Sequence, residues 1–150
     1  NVSDSIRSIY SCYAMPTIPK RDWATMQKVP HIDSTDPRQL ATVLYLCDES
    51  FGGTGFYRHE ASGIEKVTPE NYPELSQKLK EELILIDQDI KNPNSDGRDN
   101  FKTLMECSAK VGRLVVYPSS LLHTGLVNPE KNTERNPHAG RLTITSFIQY

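Results

Sequence analysis

Hydrophobic and polar positions along the chain alternate between two periods, one near two residues and one near three and a half. In residues 5–14 β-formers mix with small residues and predict an early strand, which Pro16 and Pro19 break. Residues 21–27 predict one or two helical turns around Trp23, a core anchor. Residues 40–46 are apolar at nearly every position and predict a strand buried on both faces. Residues 48–55 predict a glycine-rich turn, and residues 56–59 resume extended structure beyond it, as in a hairpin or sharp bend.

The middle of the chain changes period. Leu75, Leu79, Leu83, Ile86 and Ile90 recur at spacings of three and four, the mark of a helix starting after Pro73. Residues 92–97 end it as a loop, and residues 101–109 form either a short helix or the lead-in to a strand. Residues 61–108 thus read as a largely helical insertion covering one side of a β core. The β pattern returns at 113–117, with Leu121, Leu122 and His123 at a strand end. A polar loop over 128–140 follows, and then an alternating strand over 141–148. Arg141, Thr143, Thr145 and Phe147 share one face of that strand. The expectation is one mainly β (α+β) domain over residues 1–150.

Composition narrows the partners. Seventeen basic and nineteen acidic residues give a formal charge of −2 without long blocks of either sign, so neither a nucleic-acid face nor an acidic tail is indicated. No apolar run is long enough for a bilayer. Cys12, Cys47 and Cys107 are odd in number and widely spaced, which favours reduced thiols and a cytoplasmic setting. The chain begins at Asn1 without a methionine, as a fragment or a processed form does.

Against this background Pro30-His31-Ile32-Asp33 stands out. In an extended segment His31 and Asp33 leave the backbone on the same face and offer one nitrogen and one oxygen donor. A mononuclear non-haem iron site needs a second His and open positions. His123, at the end of a late strand, is the candidate. Arg141 opens the next strand; its planar fork suits a carboxylate, and Thr143 on the same face adds a hydroxyl. Taken singly, each residue has a plainer reading as a surface pair or a solvated strand end.

The order His31-x-Asp33, Gly52-Gly53-Thr54, His123 and Arg141-x-Thr143 resembles the Fe(II)/2-oxoglutarate-dependent oxygenase superfamily, nearest its prolyl-4-hydroxylase-like branch. Within that superfamily, residues 30–33, 53–59 and 140–143 are similar to a group of uncharacterised bacterial and marine proteins. The resemblance covers roughly residues 27–65 and 111–148. It implies a double-stranded β-helix, or jelly-roll, with His31, Asp33 and His123 as ligands of Fe(II). It also implies that Arg141 binds the 2-oxoglutarate carboxylate, with Thr143 and Tyr45 beside it. The interval from His123 to Arg141 is longer than in the family, and Arg113 is the alternative anchor. Arg58 and His59 are placed near the mouth, on the substrate side.

The implied activity is oxidation, of the hydroxylase type, of a small-molecule or peptide substrate, with O2 and 2-oxoglutarate consumed. Substrate and oligomeric state are not specified by these residues. Two other readings fit the same residues: a non-catalytic jelly-roll binding or scaffold domain, and a cupin-like metalloenzyme using another divalent metal.

Overall fold

The strand predicted over 40–46 is the centre of the larger of two antiparallel sheets. The computed structural model describes residues 5–19, 22–89, 97–128, 131 and 134–150. In chain order the elements are β1 (Ser8–Ala14), α1 (Thr25–Lys28), β2 (Gln39–Tyr45), β3 (Gly52–His59), α2 (Tyr72–Asp89), β4 (Phe101–Ser108), β5 (Leu114–Pro118), β6 (His123–Val127) and β7 (Thr143–Gln149). One sheet runs β1-β7-β2-β5 and the other β4-β3-β6. The protein is mostly β, in two antiparallel layers consistent with a β-sandwich.

Two apolar clusters hold these layers. Between the sheets lie Ala41, Val43, Tyr45, Cys47, Phe56, Ala109 and Tyr117. A second cluster joins Val29, Tyr57, Val67, Leu75, Phe101 and Leu122, with Leu79 and Leu83 of α2 packed against it. The predicted helical stripe is therefore packing surface, as the spacing requires. The Ile86 side chain and Ile90 lie outside the described residues, as do residues 20–21 and parts of the 92–97 and 128–140 loops. Cys12, Cys47 and Cys107 are free thiols. Among the described residues no helix is long and apolar enough to cross a membrane.

The structure corrects several local expectations. Residues 101–108 are a strand paired to β3 along its length, so among the described residues of the 61–108 stretch only those of α2 are helical. The turn predicted over 48–55 occupies only its first half. It is a 3-10 turn over Glu49–Phe51, capped by the Asp48 carboxylate, and Gly52 already opens β3. Because β2 and β3 belong to different sheets, this bend crosses between layers and is not a hairpin. Trp23 is only half-buried, its indole N–H donating to the Ile18 carbonyl, so it is not a core anchor.

Gly52 is indispensable for a geometric reason. Its φ is +104°, and an added Cβ would run into the Leu126 carbonyl of the neighbouring strand. Gly52→Ala is expected to destabilise the protein by about 1–3 kcal/mol, the scale of a residue forced into a glycine-only conformation. A urea midpoint unchanged from the parent would refute that account.

Candidate metal centre

The segment carrying His31 is tied to the strand carrying His123 by one reciprocal pair of backbone bonds. The His31 N–H donates to the His123 carbonyl and the His123 N–H to the His31 carbonyl, both at 2.9 Å. His31 is thus an isolated bridge, and not part of a longer strand. Asp33 lies in the bend that follows, its N–H donating to the Ser119 carbonyl at 2.9 Å. His and Asp still turn to one side, through a pinned bend and not through strand alternation. His123 opens β6; it does not close a strand.

The donor atoms of His31, Asp33 and His123 all lie within 4.8 Å of one another. His123 Nε2 is 3.4 Å from Asp33 Oδ2. Its other nitrogen, Nδ1, is 2.8 Å from the Leu121 carbonyl. A carbonyl only accepts, so Nδ1 carries the proton and Nε2 is left with its lone pair toward Asp33 and His31. Such a bond to the far nitrogen is how protein-bound metals usually have their histidines oriented. The rings of His31 and Tyr117 each stand 4.7 Å from the His123 ring. Burial pushes the His123 imidazole below its ordinary pKa; the neighbouring His31 adds to this, and the Asp33 carboxylate opposes it. A neutral imidazole is the form that ligates a metal.

A second group lies deeper between the sheets. Arg141 is buried just before β7, where burial disfavours its charge. Its Nη2 donates to the Gly53 carbonyl at 2.8 Å, and its Nε is buried with no hydrogen-bond partner. The guanidinium carbon stands 5.7 Å from the Tyr45 ring. The Tyr45 hydroxyl shares a 2.5 Å hydrogen bond with Thr54 Oγ1. Thr143 is buried, its hydroxyl donating to the Ala14 carbonyl at 3.2 Å.

Tyr117 connects the two groups. Its ring packs against His123, and burial, with the charges of Asp33 and Tyr45 adding, pushes its phenol well up. Thr54 entered the sequence reading only as part of the Gly52-Gly53-Thr54 motif, without a role of its own, and Tyr117 was not singled out; the signal for Tyr117 was its place in the apolar run over 113–117. Arg113 is exposed, and its Nη1 donates to the Ser108 carbonyl at 2.6 Å.

Arg58 and His59 have different surroundings. Arg58 is exposed and bound to Glu65, with Nη2 2.9 Å from the carboxylate. His59 is sealed from solvent, its Nδ1 2.8 Å from Ser62 Oγ and its Nε2 2.9 Å from Glu82 of α2. Successive residues of a strand face opposite ways, which separates the two. The His59–Glu82 contact is a tie between sheet and helix.

A family model described as "Family of unknown function (DUF6445)" matches residues 1–148. No curated protein matches the chain. Among solved structures, the chain is similar to an N-substituted L-amino acid dioxygenase from Burkholderia ambifaria AMMD, at 11% identity and a TM-score of 0.46. The match covers 94% of this chain and 48% of that one, so the chain spans about half the length of that protein.

Because His123 is held neutral when folded, the unfolded chain takes up its proton first as pH falls. This contribution to stability is complete above about pH 6.5 and is lost as pH falls from there toward the lower folded value. In the metal-free protein the His123 ring signals, followed by NMR, are expected to titrate below the usual histidine midpoint. A midpoint above it would show that Asp33 outweighs burial.

Proposed function

We propose, for a chain that belongs to the DUF6445 family, the activity of an Fe(II)- and 2-oxoglutarate-dependent oxygenase that hydroxylates, or otherwise oxidises, a small-molecule or peptide substrate. The fold underlying this reading is the double-stranded β-helix in its prolyl-4-hydroxylase-like form. Its support is the order β1-β7-β2-β5 in one layer, with β4-β3-β6 extended by the His31 bridge in the other. A cytoplasmic setting goes with the three free thiols. The proposal includes no nucleic-acid or membrane partner.

One observation carries the proposal: a His–Asp–His donor set shares the sandwich with a buried arginine that no carboxylate among the described residues neutralises. Among the described residues no carboxylate bonds to Arg141. An unpaired buried cation is costly, and an anionic ligand removes that cost. The donor chemistry fits Fe(II), for which two imidazoles and one carboxylate on one side leave further positions open. His31, Asp33 and His123 would hold the metal. Fe(II) with 2-oxoglutarate supplies the oxidising chemistry, in which O2 is consumed, the co-substrate leaves as succinate and CO2, and the substrate gains oxygen.

The chain's own part is positional and electrostatic. The carbonyl of Leu121 keeps His123 in one tautomer. Ser119 holds the bend that brings Asp33 to the histidines. Arg141 offers its Nε edge to the distal carboxylate, with its Nη2 already anchored on Gly53. Tyr45 and Thr54 line the same space with a hydroxyl pair. Thr143 has its proton committed to Ala14, which leaves only its oxygen lone pairs for a further partner.

Three outcomes of one assay separate the readings. Succinate release that needs both Fe(II) and 2-oxoglutarate marks the oxygenase; dependence on metal alone marks a cupin-like enzyme; binding without turnover marks a scaffold. Asp33→Ala is expected to abolish metal-dependent turnover with the circular dichroism spectrum preserved, since it removes the only anionic donor. Undiminished turnover in the folded variant would contradict the ligand set.

Arg141→Ala is expected to weaken 2-oxoglutarate binding by about 2–5 kcal/mol, the scale for truncating one partner of a buried charge pair. Mn(II) affinity should change far less. Anaerobic calorimetry on the Mn(II)-loaded variant reads this directly. Unchanged affinity for 2-oxoglutarate would remove Arg141 from the site.

A further inference from the structure

Between α2 and residues 26–32 lies a groove of about 330 Å³. Its floor is apolar and sealed: Val29 and Leu122 are 1% exposed and Leu75 is 2% exposed. Leu75, Leu79 and Leu83, at helical spacing, form the wall on the α2 side. Leu79 and Leu83 are only half-buried there, although they belong to the stripe by which α2 packs. The opposite wall is the segment that carries the donor His31, from Pro30 to Ile32. Met26, Tyr72 and Lys80 are exposed and mark the open rim. Burial thus falls from floor to rim. An apolar pocket of about 300–1,000 Å³ with a few polar groups is the usual form of a small-molecule site.

The volume decides what kind of occupant fits. One turn of an α-helix, about 5.4 Å long and 10 Å across, fills about 420 Å³, more than the whole groove. A helix of another protein would therefore lie across the rim without reaching Leu75 and Leu122 on the floor. A single alkyl chain or aromatic ring fits within the volume and covers Leu79 and Leu83.

We propose that this groove binds a small molecule by its alkyl or aryl group, with the polar end of that molecule at the rim beside Tyr72 and Lys80. The driving force is removal of apolar surface from water, on the ligand and on the half-buried leucines together. Ile32 and Leu122 stand next in sequence to the donors Asp33 and His123, so the ligand sits against the segments that hold the candidate metal centre. Binding here needs no metal, and the proposal stands whether or not the oxygenase reading holds.

The test uses the metal-free full chain and the sodium carboxylates from butanoate to dodecanoate, each kept below its micellar concentration. Leucine methyl signals, among them those of Leu79, Leu83 and Leu122, are followed by NMR. Saturable one-site binding is expected, with affinity rising about fourfold for each added methylene. The rise is expected to stop within the series, once the tail fills the groove. Ser76, half-buried in the lining, is the place to block it. Ser76→Phe puts a ring into the groove and should weaken the tightest probe about tenfold or more, the loss of about two methylenes of burial. Ser76→Leu, a smaller block at the same place, covers the case in which the phenylalanine variant loses its circular dichroism spectrum. Shifts that do not saturate, an affinity that climbs without a plateau, or undiminished affinity in a folded blocking variant would overturn the proposal.

Discussion

The candidate metal centre depends on the position of residues 119–123, and that short stretch is held from several sides by backbone alone. Ser119 donates to the Gln39 carbonyl and accepts from Asp33 and Ser34. Val67 donates to the Ser120 carbonyl; Leu122 donates to Glu65 and accepts from Tyr57; His123 exchanges both its bonds with His31. Four separate parts of the chain converge there. Backbone bonds of this kind are indifferent to side-chain identity, so the three donors are set by topology before any side chain is chosen. What the side chains add is chemistry: two imidazoles and a carboxylate projected from segments that cannot drift apart.

Deeper in the sandwich, charge takes over from geometry. Arg141 would be an unfavourable residue for a core that served packing alone. Apolar replacement of buried ionic groups is commonly neutral or stabilising. Its surroundings are polar without being acidic: the Gly53 carbonyl, the Tyr45 ring and a hydroxyl pair. Such a cage orients a cation without neutralising it. Among the described residues Arg141 is a buried cation without a carboxylate partner, and packing does not account for it.

The strands were legible because alternation is a local property. Residues 40–46, 113–117 and 141–148 each lie on β2, β5 and β7 within a residue or two, and the 3–4 spacing of Leu75, Leu79 and Leu83 lies on α2. Candidate residues His31, Asp33 and His123 were legible as a set of donor types in order, and the structure brings them together. What local pattern did not carry was pairing. Residues 101–108 alternate weakly because most of their side chains are exposed, and only the ladder with β3 makes them a strand. Glycines at 52, 53 and 55 suggested a turn, but they serve close approach. An added Cβ at Gly53 or Gly55 would collide with the Cys107 backbone or with the Tyr57 side chain, respectively. His59 was placed on the substrate side without sight of its partner, since Glu82 is 23 positions away and nothing local announces it.

That His59–Glu82 tie has a consequence for the centre. Leu122, next to His123, is packed in the same apolar cluster as Leu75 of α2 and Val29 of the segment leading to His31. Helix α2 therefore bears on both donor-carrying segments at once. A sealed histidine bonded to a helix carboxylate is a directional restraint, since removing one partner leaves a buried polar group without its bond. Apolar contact alone would let α2 slide along the sheet, because dispersion contacts are individually weak and not directional. With Ser62 on one ring nitrogen and Glu82 on the other, His59 fixes the register of the helix against β3. The helix in turn backs the segment from Val29 to His31, and so a residue with no place among the donors constrains the angle at which they meet.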